Sequence, residues 1–246
     1  MFGSGRKKGR RYFYADQKSY RHRTRWIILG VLVFFVFYVS FTSLIFSMRV
    51  LENDTMAPNL HAGERLIFSS FTVYSLIPGF DLEKSSPPFR RGNVVLVDMF
   101  RGGDLGFFQR FLDGMVRFFT AQRVSLAEQK EYLFVKRVIG LPGDEISMTN
   151  FVVRVKTRGS AYSLTEFEVT EQDYTLDIPQ MPALWDSSLP FSGNMDTIVL
   201  GESECFVLSD DRSNTNDSRT WGPVPVSSIS GKALFRYWPF THLGRP

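Results

Sequence analysis

Short stretches rich in Val, Ile and Phe recur along the chain after residue 60, separated by Gly, Pro and Asn. Such stretches are typical of β-strands that are bounded by turns. No regular alternation of strand and helix patterns is present, which favours a mainly β, antiparallel fold. The predicted strands are Glu64–Phe71, Asn93–Met99, Leu133–Ile139, Phe151–Lys156, Thr197–Leu200, Cys205–Ser209 and Gly231–Tyr237.

One inserted amphipathic helix, from Leu105 to Val124, interrupts this pattern. Its apolar stripe consists of Phe107, Phe108, Phe111, Leu112, Met115, Val116, Phe118 and Phe119. Helical spacing of apolar residues indicates a face that is removed from water. Two interpretations remain open: the helix packs on the sheet, or it lies in a membrane interface, where Phe-rich faces flanked by Arg are favoured.

A longer apolar run, from Trp26 to Met48, contains no charged residue over 23 positions. This length is enough for a helix to cross a hydrocarbon core of about 30 Å. A cleaved signal peptide is the alternative, but its apolar region spans only about 7–15 residues and ends in a small-x-small pattern. The residues Ser47-Met48-Arg49-Val50 lack that pattern, so the run predicts a single transmembrane helix, residues 26–48.

The distribution of charge predicts the orientation of this anchor. Residues 1–25 carry nine of the 29 basic residues and one acid, Asp16, so the rest of the chain is slightly acidic. The positive-inside rule therefore predicts a basic cytoplasmic tail, residues 1–25, and an extracytoplasmic β-domain, residues 49–246, at the cell membrane. The lipid bilayer is then a partner of the chain. A nucleic-acid-binding surface on the main domain is not expected, because the basic excess lies only in the tail.

The few residues that commonly hold metals or disulfides do not form a pattern. Cys205 is the single cysteine, which excludes an intramolecular disulfide, and we expect it to be a buried small hydrophobe. The three histidines, His22, His61 and His242, are scattered, so no metal site and no cofactor are predicted. The shortage of histidine directs attention to lysine as a possible base.

Lys136 lies in the middle of an otherwise apolar predicted strand, which the Pro142-Gly143 turn follows. Burial disfavours an ammonium group and lowers the pKa of a lysine. A lysine that is partly neutral near pH 7 can act as a general base. The alternative is that Lys136 ends the strand and extends its amine to water.

Three further segments accompany Lys136, and together they carry a family resemblance. The first, Asn53-Asp54-Thr55-Met56-Ala57-Pro58-Asn59-Leu60, directly follows the apolar run, and the second, Arg90 to Val95, precedes a strand. The third is Ser209 to Val224, with Asp217-Ser218-Arg219 near its centre. With Lys136 to Asp144, these segments resemble, in order, the motifs of bacterial type I signal peptidases, the membrane-bound serine–lysine proteases. The resemblance extends from the anchor to about Val226.

The resemblance implies a mostly β fold and hydrolysis after small residues, commonly Ala-x-Ala, on signal-peptide-bearing precursors. It makes Lys136 the general base and puts Thr55 at the position of the nucleophilic serine. It makes Asn53 a donor to the oxyanion and gives Thr215 the hydroxyl that orients the lysine. Supporting roles fall on Arg137, Asp210, Asp217 and Arg219, and the small-residue pocket on Met56, Leu60 and Val135.

Several positions depart from the family pattern. Threonine replaces the nucleophilic serine at position 55, and its methyl group restricts the side-chain torsion. Asp54 stands where the family has glycine, close to a developing oxyanion that its charge would disfavour. The Gly-Asp-Asn-Arg of the family becomes Ser209-Asp210-Asp211-Arg212. Two hypotheses follow: an active peptidase with a hydroxyl–lysine dyad, or an impaired paralogue that binds exported peptides without cleaving them.

Overall fold

The computed structural model describes residues 22–38, 45–71, 87–99, 112, 116, 133–180 and 193–246. The chain divides into two compact units. One unit contains residues 1–43 and 107–127, and the other contains residues 44–106 and 128–246. The β-strands all belong to the second unit.

The described part of the first unit is helical. Residues 22–38 form helix α1, and Leu112 and Val116 are also helical. These two residues fall within the helix predicted between Leu105 and Val124; its other positions lie outside the described residues. Both interpretations of that helix, packing on the sheet and lying in a membrane interface, stay predictions.

The predicted transmembrane segment, residues 26–48, is only partly helical in the structure. Its last three residues, Phe46 to Met48, belong to a strand that pairs with the following strand, and residues 39–44 lie outside the described ranges. Among the residues that the structure describes, no helix combines the length and apolar character needed to cross a bilayer.

The larger sheet has seven strands, and it confirms the predicted antiparallel β class. Its strands are β1 (Phe46–Val50), β2 (Arg65–Ser70), β3 (Val94–Asp98), β4 (Leu133–Gly140), β9 (Glu204–Leu208), β10 (Val224–Pro225) and β11 (Ile229–Trp238). Their order across the sheet is β1-β2-β11-β3-β4-β9-β10, and each pair of neighbours is antiparallel. Two 3-10 helices, Val226–Ser228 and Phe240–His242, flank β11.

The smaller sheet has four strands, in the order β7-β6-β5-β8. Its strands are β5 (Glu145–Thr149), β6 (Val152–Lys156), β7 (Leu164–Thr165) and β8 (Met195–Val199). Helix α2 (Glu166–Val169) follows β7, and helix α3 (Ser218–Trp221) lies between β9 and β10. The chain passes from β4 to β5 through the turn at Pro142-Gly143, where Gly143 has a φ of +82° that favours glycine.

Apolar side chains of both sheets form three core clusters. One cluster joins β4 and β9 to the smaller sheet through Ile139, Phe206, Ile146 and Val155. Another packs the loop after β1 against the larger sheet through Met56, Leu60 and other side chains. The third cluster contains the alternate side chains of β4 and β9. Both faces of these two strands are therefore packed, which makes the pair a rigid support for the polar groups at its end.

Candidate active site

Lys136 projects from β4 into the interior, and only 1% of its surface is exposed. Burial lowers the pKa of its ammonium group from the ordinary value of 10.5 to about 8, against the opposing attraction of the Asp217 carboxylate. A lysine with such a pKa is neutral in part of the molecules near pH 7 and can accept a proton. The sequence left open whether Lys136 is buried or extends its amine to water, and in the structure it is buried.

The amine of Lys136 is held by Ser209. Lys136 Nζ donates a hydrogen bond to Ser209 Oγ at 2.8 Å. Strands β4 and β9 pair with Arg137 opposite Leu208 and Val138 opposite Val207. Because the next step of this antiparallel register puts Lys136 opposite Ser209, the strand pairing itself brings the amine and the hydroxyl together.

An ion pair fixes the backbone of Ser209. The Ser209 N–H donates to Asp217 Oδ2 at 3.0 Å, and Arg219 donates to both oxygens of that carboxylate, at 2.9 and 2.8 Å. Burial acts to raise the pKa of Asp217, but the hydrogen bonds from Arg219 and from the Ser209 N–H outweigh it and hold the pKa below its ordinary value. Arg219 also donates to the carbonyls of Arg212 and Asn214. The loop that follows β9 is therefore folded around the Asp217–Arg219 pair.

A second ion pair joins this loop to β4. The guanidinium of Arg137 makes a two-point contact with Asp210, with Nε–Oδ1 at 2.7 Å and Nη2–Oδ2 at 2.6 Å. Arg137 Nη1 donates to the carbonyl of Gly92, and its guanidinium carbon lies 4.1 Å from the ring centroid of Tyr174. Asn59 Nδ2 donates to Asp210 Oδ2 at 2.8 Å. Asp210 therefore connects the strand that carries Lys136 to the loop that carries Thr55.

Thr55 lies in the loop between β1 and β2, and its hydroxyl bonds within that loop. Thr55 Oγ1 donates to Asn53 Oδ1 at 2.9 Å, and 9% of the Thr55 surface is exposed. The carboxylate of Asp54 accepts a hydrogen bond from the Ala62 N–H at 2.8 Å and lies 3.6 Å from His61 Nδ1. Asp54 thus closes the two ends of the loop on each other.

Residues 209–211 bring the Thr55 loop and β4 to one place. Asp211 N–H donates to the Thr55 carbonyl at 3.2 Å. The neighbours of the two predicted catalytic residues, Met56 and Val135, pack in the same core cluster. Within the described residues, no hydrogen bond joins Thr55 Oγ1 to Lys136 Nζ, since each is bonded elsewhere.

A family model described as "Signal peptidase, peptidase S26" matches residues 23–238. The chain belongs to this family. A probable signal peptidase I-1 of Synechocystis is 26% identical over 197 residues, which cover 80% of this chain and 74% of that protein. A signal peptidase I of Leptolyngbya laminosa is 28% identical over 196 residues, which cover 80% and 70% of the two chains.

A solved structure of a signal peptidase I from Enterococcus faecalis aligns with 60% of this chain and 98% of that chain. The sequence identity is 18% and the TM-score is 0.31.

The family motif and the structure differ over which hydroxyl meets the lysine. The motif gives this role to Thr215, but the hydroxyl bonded to Lys136 is that of Ser209. Thr215 is half-buried, and its carbonyl accepts hydrogen bonds from the Asp217 N–H and from Thr220 Oγ1. The sequence contained a signal for Ser209: it replaces the glycine of the family, and it ends a strand that pairs with β4.

The residues predicted to line the small-residue pocket are unequally accessible. Met56 and Leu60 are fully buried members of a core cluster, while Val135 is partly buried and packs against that cluster. Cys205 is buried, as expected, and burial raises the pKa of its thiol to about 12.

A buried polar cluster that sequence reasoning missed lies beside the loop after β9. The Glu166 carboxylate accepts hydrogen bonds from Arg212 and from the Tyr174 hydroxyl, and all three side chains are buried. Burial, followed by the charge of Glu166, raises the pKa of Tyr174. The cluster ties helix α2, which follows β7, to the loop after β9. The sequence offered no signal for it, because residues 166 and 212 are joined only by the fold.

No group of three or more His, Cys, Asp or Glu side chains is placed to hold a metal ion in the part of the chain that the structure describes.

Proposed function

We propose that this chain is a peptidase that removes signal peptides from exported precursors, with Thr55 as the nucleophile and Lys136 as the general base. The observation that carries the proposal is the buried amine of Lys136, whose pKa is lowered to about 8 and which is held in one orientation at Ser209. Burial of an amine costs free energy. A buried lysine that is partly neutral is suited to act as a general base in catalysis.

The proposed reaction is acyl transfer. Thr55 Oγ1 adds to the carbonyl carbon of the scissile peptide bond while Lys136 Nζ takes its proton. The C–N bond then breaks as the Lys136 ammonium returns that proton to the leaving amine. Water hydrolyses the resulting Thr55 ester: Lys136 accepts a proton from the water, and the proton passes to Thr55 Oγ1 as the ester breaks. The Thr55 hydroxyl must first turn from Asn53 towards Lys136.

The oxyanion of the tetrahedral intermediate requires hydrogen-bond donors. The proposed donors are the Thr55 backbone N–H and the side-chain amide of Asn53, whose Oδ1 lies 3.5 Å from that N–H and 2.9 Å from Thr55 Oγ1. Rotation of the amide would present Nδ2 in the same position. The Asp54 carboxylate is occupied by the Ala62 N–H and adjoins His61, which reduces its repulsion of the oxyanion.

Cleavage after small residues is part of the proposal. Met56 and Leu60 are packed into the core, which leaves Val135 as the more accessible wall. A pocket whose floor consists of such packed side chains accommodates a methyl group better than a bulky one.

The supporting side chains have distinct proposed roles. The Arg137–Asp210 pair holds the Thr55 loop against β4 through Asn59. The Asp217–Arg219 pair fixes the backbone at Ser209.

Binding of exported peptides without cleavage is the second candidate. It is favoured by one observation, the hydrogen bond of Thr55 Oγ1 to Asn53 rather than to Lys136. A nucleophile without contact to its base is inactive until it reorients.

Membrane attachment through the part of the uncharged run that precedes β1, residues 26–45, is also proposed. Its support is the uncharged run in the sequence and the basic residues that precede it.

The decisive experiment incubates the purified protein in detergent with a precursor that carries an Ala-x-Ala site. Mass spectrometry should detect the mature product, cut after the second Ala. A precursor with Trp in place of both alanines serves as the control and should remain intact. Binding of the first precursor without any cut product would instead support the non-cleaving peptide binder.

A further inference from the structure

We infer that Ser209 is the positioning residue for the general base, in place of the hydroxyl that the family motif assigns to Thr215. The inference rests on the proposed function, in which Lys136 is the base. It assigns a role to a side chain that the family lacks, because the family has glycine at this position.

Ser209 and Lys136 are in direct contact inside the protein. Lys136 Nζ and Ser209 Oγ are 2.8 Å apart, and the exposed fractions of the two residues are 1% and 0%. A buried amine requires a hydrogen-bond partner, because an unsatisfied one costs its full desolvation penalty. Within the described residues, Ser209 Oγ is the hydrogen-bond acceptor of this amine. Its loss would leave Lys136 free to adopt other rotamers.

Ser209 is held in place by its backbone. Its N–H donates to Asp217, which Arg219 holds in turn, and Ser209 follows β9 in register with Lys136 on β4. The pairing of the two strands and the Asp217–Arg219 ion pair therefore both fix the orientation of the Ser209 hydroxyl. A partner that is fixed in this way determines the direction of the amine, which is what a positioning residue must do.

The burial of Ser209 favours a positioning role over nucleophilic attack. Ser209 forms a hydroxyl–amine pair with Lys136, as a nucleophile would, but it is fully buried. A substrate carbonyl cannot reach Ser209 Oγ without opening the sheet. Thr55 is also largely buried, but 9% of its surface is exposed and it lies in a loop rather than beside a central strand. The exposed fractions therefore assign attack to Thr55 and positioning to Ser209.

Thr215 takes part in the loop through its backbone. It is half-buried, and its carbonyl accepts hydrogen bonds from the Asp217 N–H and from Thr220 Oγ1. In the described structure, its hydroxyl makes no hydrogen bond to Lys136. Thr215 therefore shapes the loop through its backbone.

The charges around Lys136 give the direction of the expected change. The Asp217, Asp210 and Asp211 carboxylates favour its ammonium form, and Arg219 disfavours it. The Trp221 ring lies 5.9 Å from Nζ. Ser209 Oγ accepts a hydrogen bond from the amine and so also favours the ammonium form. Removal of this acceptor should lower the pKa of Lys136 further, because the charged form loses its hydrogen bond while the surrounding charges stay.

The experiment compares Ser209→Ala with Thr215→Val in the full-length protein in detergent. Alanine keeps the N–H that bonds Asp217, and valine keeps the shape of threonine, so each variant removes a hydroxyl only. The first readout is kcat/KM for an Ala-x-Ala precursor as a function of pH. The second is the NMR titration of the Lys136 side chain in protein with 13C-labelled lysine, in which Lys136→Met identifies the signal.

In Ser209→Ala, we expect kcat to fall about 10- to 100-fold with little change in KM, which is the size of effect that loss of orientation produces. The acid limb of the kcat/KM profile of this variant and the NMR titration of Lys136 should both move to lower pH. In Thr215→Val, both readouts should stay close to those of the parent. The inference would be overturned if kcat fell in Thr215→Val and not in Ser209→Ala. It would also be overturned if Lys136 titrated at the same pH in Ser209→Ala as in the parent.

The two readouts test different proposals: cleavage tests the peptidase activity, and the titration tests the contact between Ser209 and Lys136. If the parent cuts no precursor, the proposed peptidase activity fails. The titration still decides whether Ser209 holds Lys136, because it needs no substrate.

Discussion

Thr55 Oγ1 donates its hydrogen bond to Asn53 Oδ1, across 2.9 Å within a single loop. The bond engages the proton of the proposed nucleophile, while the amine of Lys136 is bonded to Ser209, so the proposed pair is not in contact. Attack requires the threonine torsion to change, and a β-branched side chain resists that change. The identity of residue 55 should therefore control the rate.

Replacement of Thr55 by serine should raise or maintain the rate of cleavage. Serine keeps the hydroxyl and removes the methyl group that restricts the torsion. Thr55→Ala should abolish cleavage while peptide binding persists, because the attacking hydroxyl is lost and the only other change is the loss of one methyl group. Single-turnover cleavage and binding of a fluorescent precursor measure the two effects. Cleavage by Thr55→Ala at the rate of the parent would remove Thr55 from the mechanism.

Replacement of Asn53 by aspartate tests the proposed oxyanion donor. Aspartate keeps the oxygen that accepts from Thr55 but has no N–H to donate, and its charge repels the oxyanion. We expect kcat to fall by about 10²–10³, the usual effect of losing one such donor, with KM nearly constant. Asn53→Gln, which retains the amide on a longer side chain, serves as the control and should be less impaired. Equal activity in Asn53→Asp and the parent would exclude this role.

The lowered pKa of Lys136 predicts how activity depends on pH. The base must be neutral to accept a proton, so kcat/KM should rise with pH and level off above a pKa of about 8. Lys136→Met should lose activity by orders of magnitude at every pH. Lys136→Arg should be inactive as well, because a guanidinium keeps its proton. A flat pH profile between 6 and about 9 would contradict Lys136 as the base.

The same lysine predicts an unusual effect on stability. The folded pKa is about 8 and the unfolded pKa is 10.5, so the unfolded chain binds more protons between these values. Stability should therefore rise with pH across this window, and below pH 8 the buried ammonium costs about 3 kcal/mol. Lys136→Met should raise the free energy of unfolding at pH 7 by up to that amount and remove the rise above pH 8. Urea titrations at pH 7 and pH 9 measure both effects.

The buried pair Arg137–Asp210 should be important for stability. Asp210→Asn leaves the Arg137 guanidinium buried without its counter-charge, which typically costs about 3–5 kcal/mol. Glu171→Gln removes one partner of an exposed pair, Arg90–Glu171, and is the matched control. Exposed pairs contribute little, so the control should change stability by less than about 0.5 kcal/mol. Equal effects of the two substitutions in urea titrations would show that burial of the Arg137–Asp210 pair is unimportant.

Strand positions were largely predictable from the sequence, because the apolar residues and the turn residues both mark them locally. The predicted Leu133–Ile139 and Gly231–Tyr237 correspond to Leu133–Gly140 and Ile229–Trp238. Strands β1, β5, β7 and β10 were missed. Strand β1 was missed because its residues continue the long apolar run that predicted a membrane span. A short edge strand and the end of a membrane helix have the same composition, and only pairing with β2 distinguishes them.

The sequence by itself determined the kinds of groups available for catalysis: a lysine inside an apolar strand, hydroxyls in two loops, and acids and arginines near them. Their types and order were enough for the family resemblance, which the family model then confirmed. Only the tertiary structure decided which hydroxyl meets the lysine, because that choice depends on the register between β4 and β9. Register arises from the packing of both faces of the sheet, and a shift of one residue would have turned Ser209 to the other face.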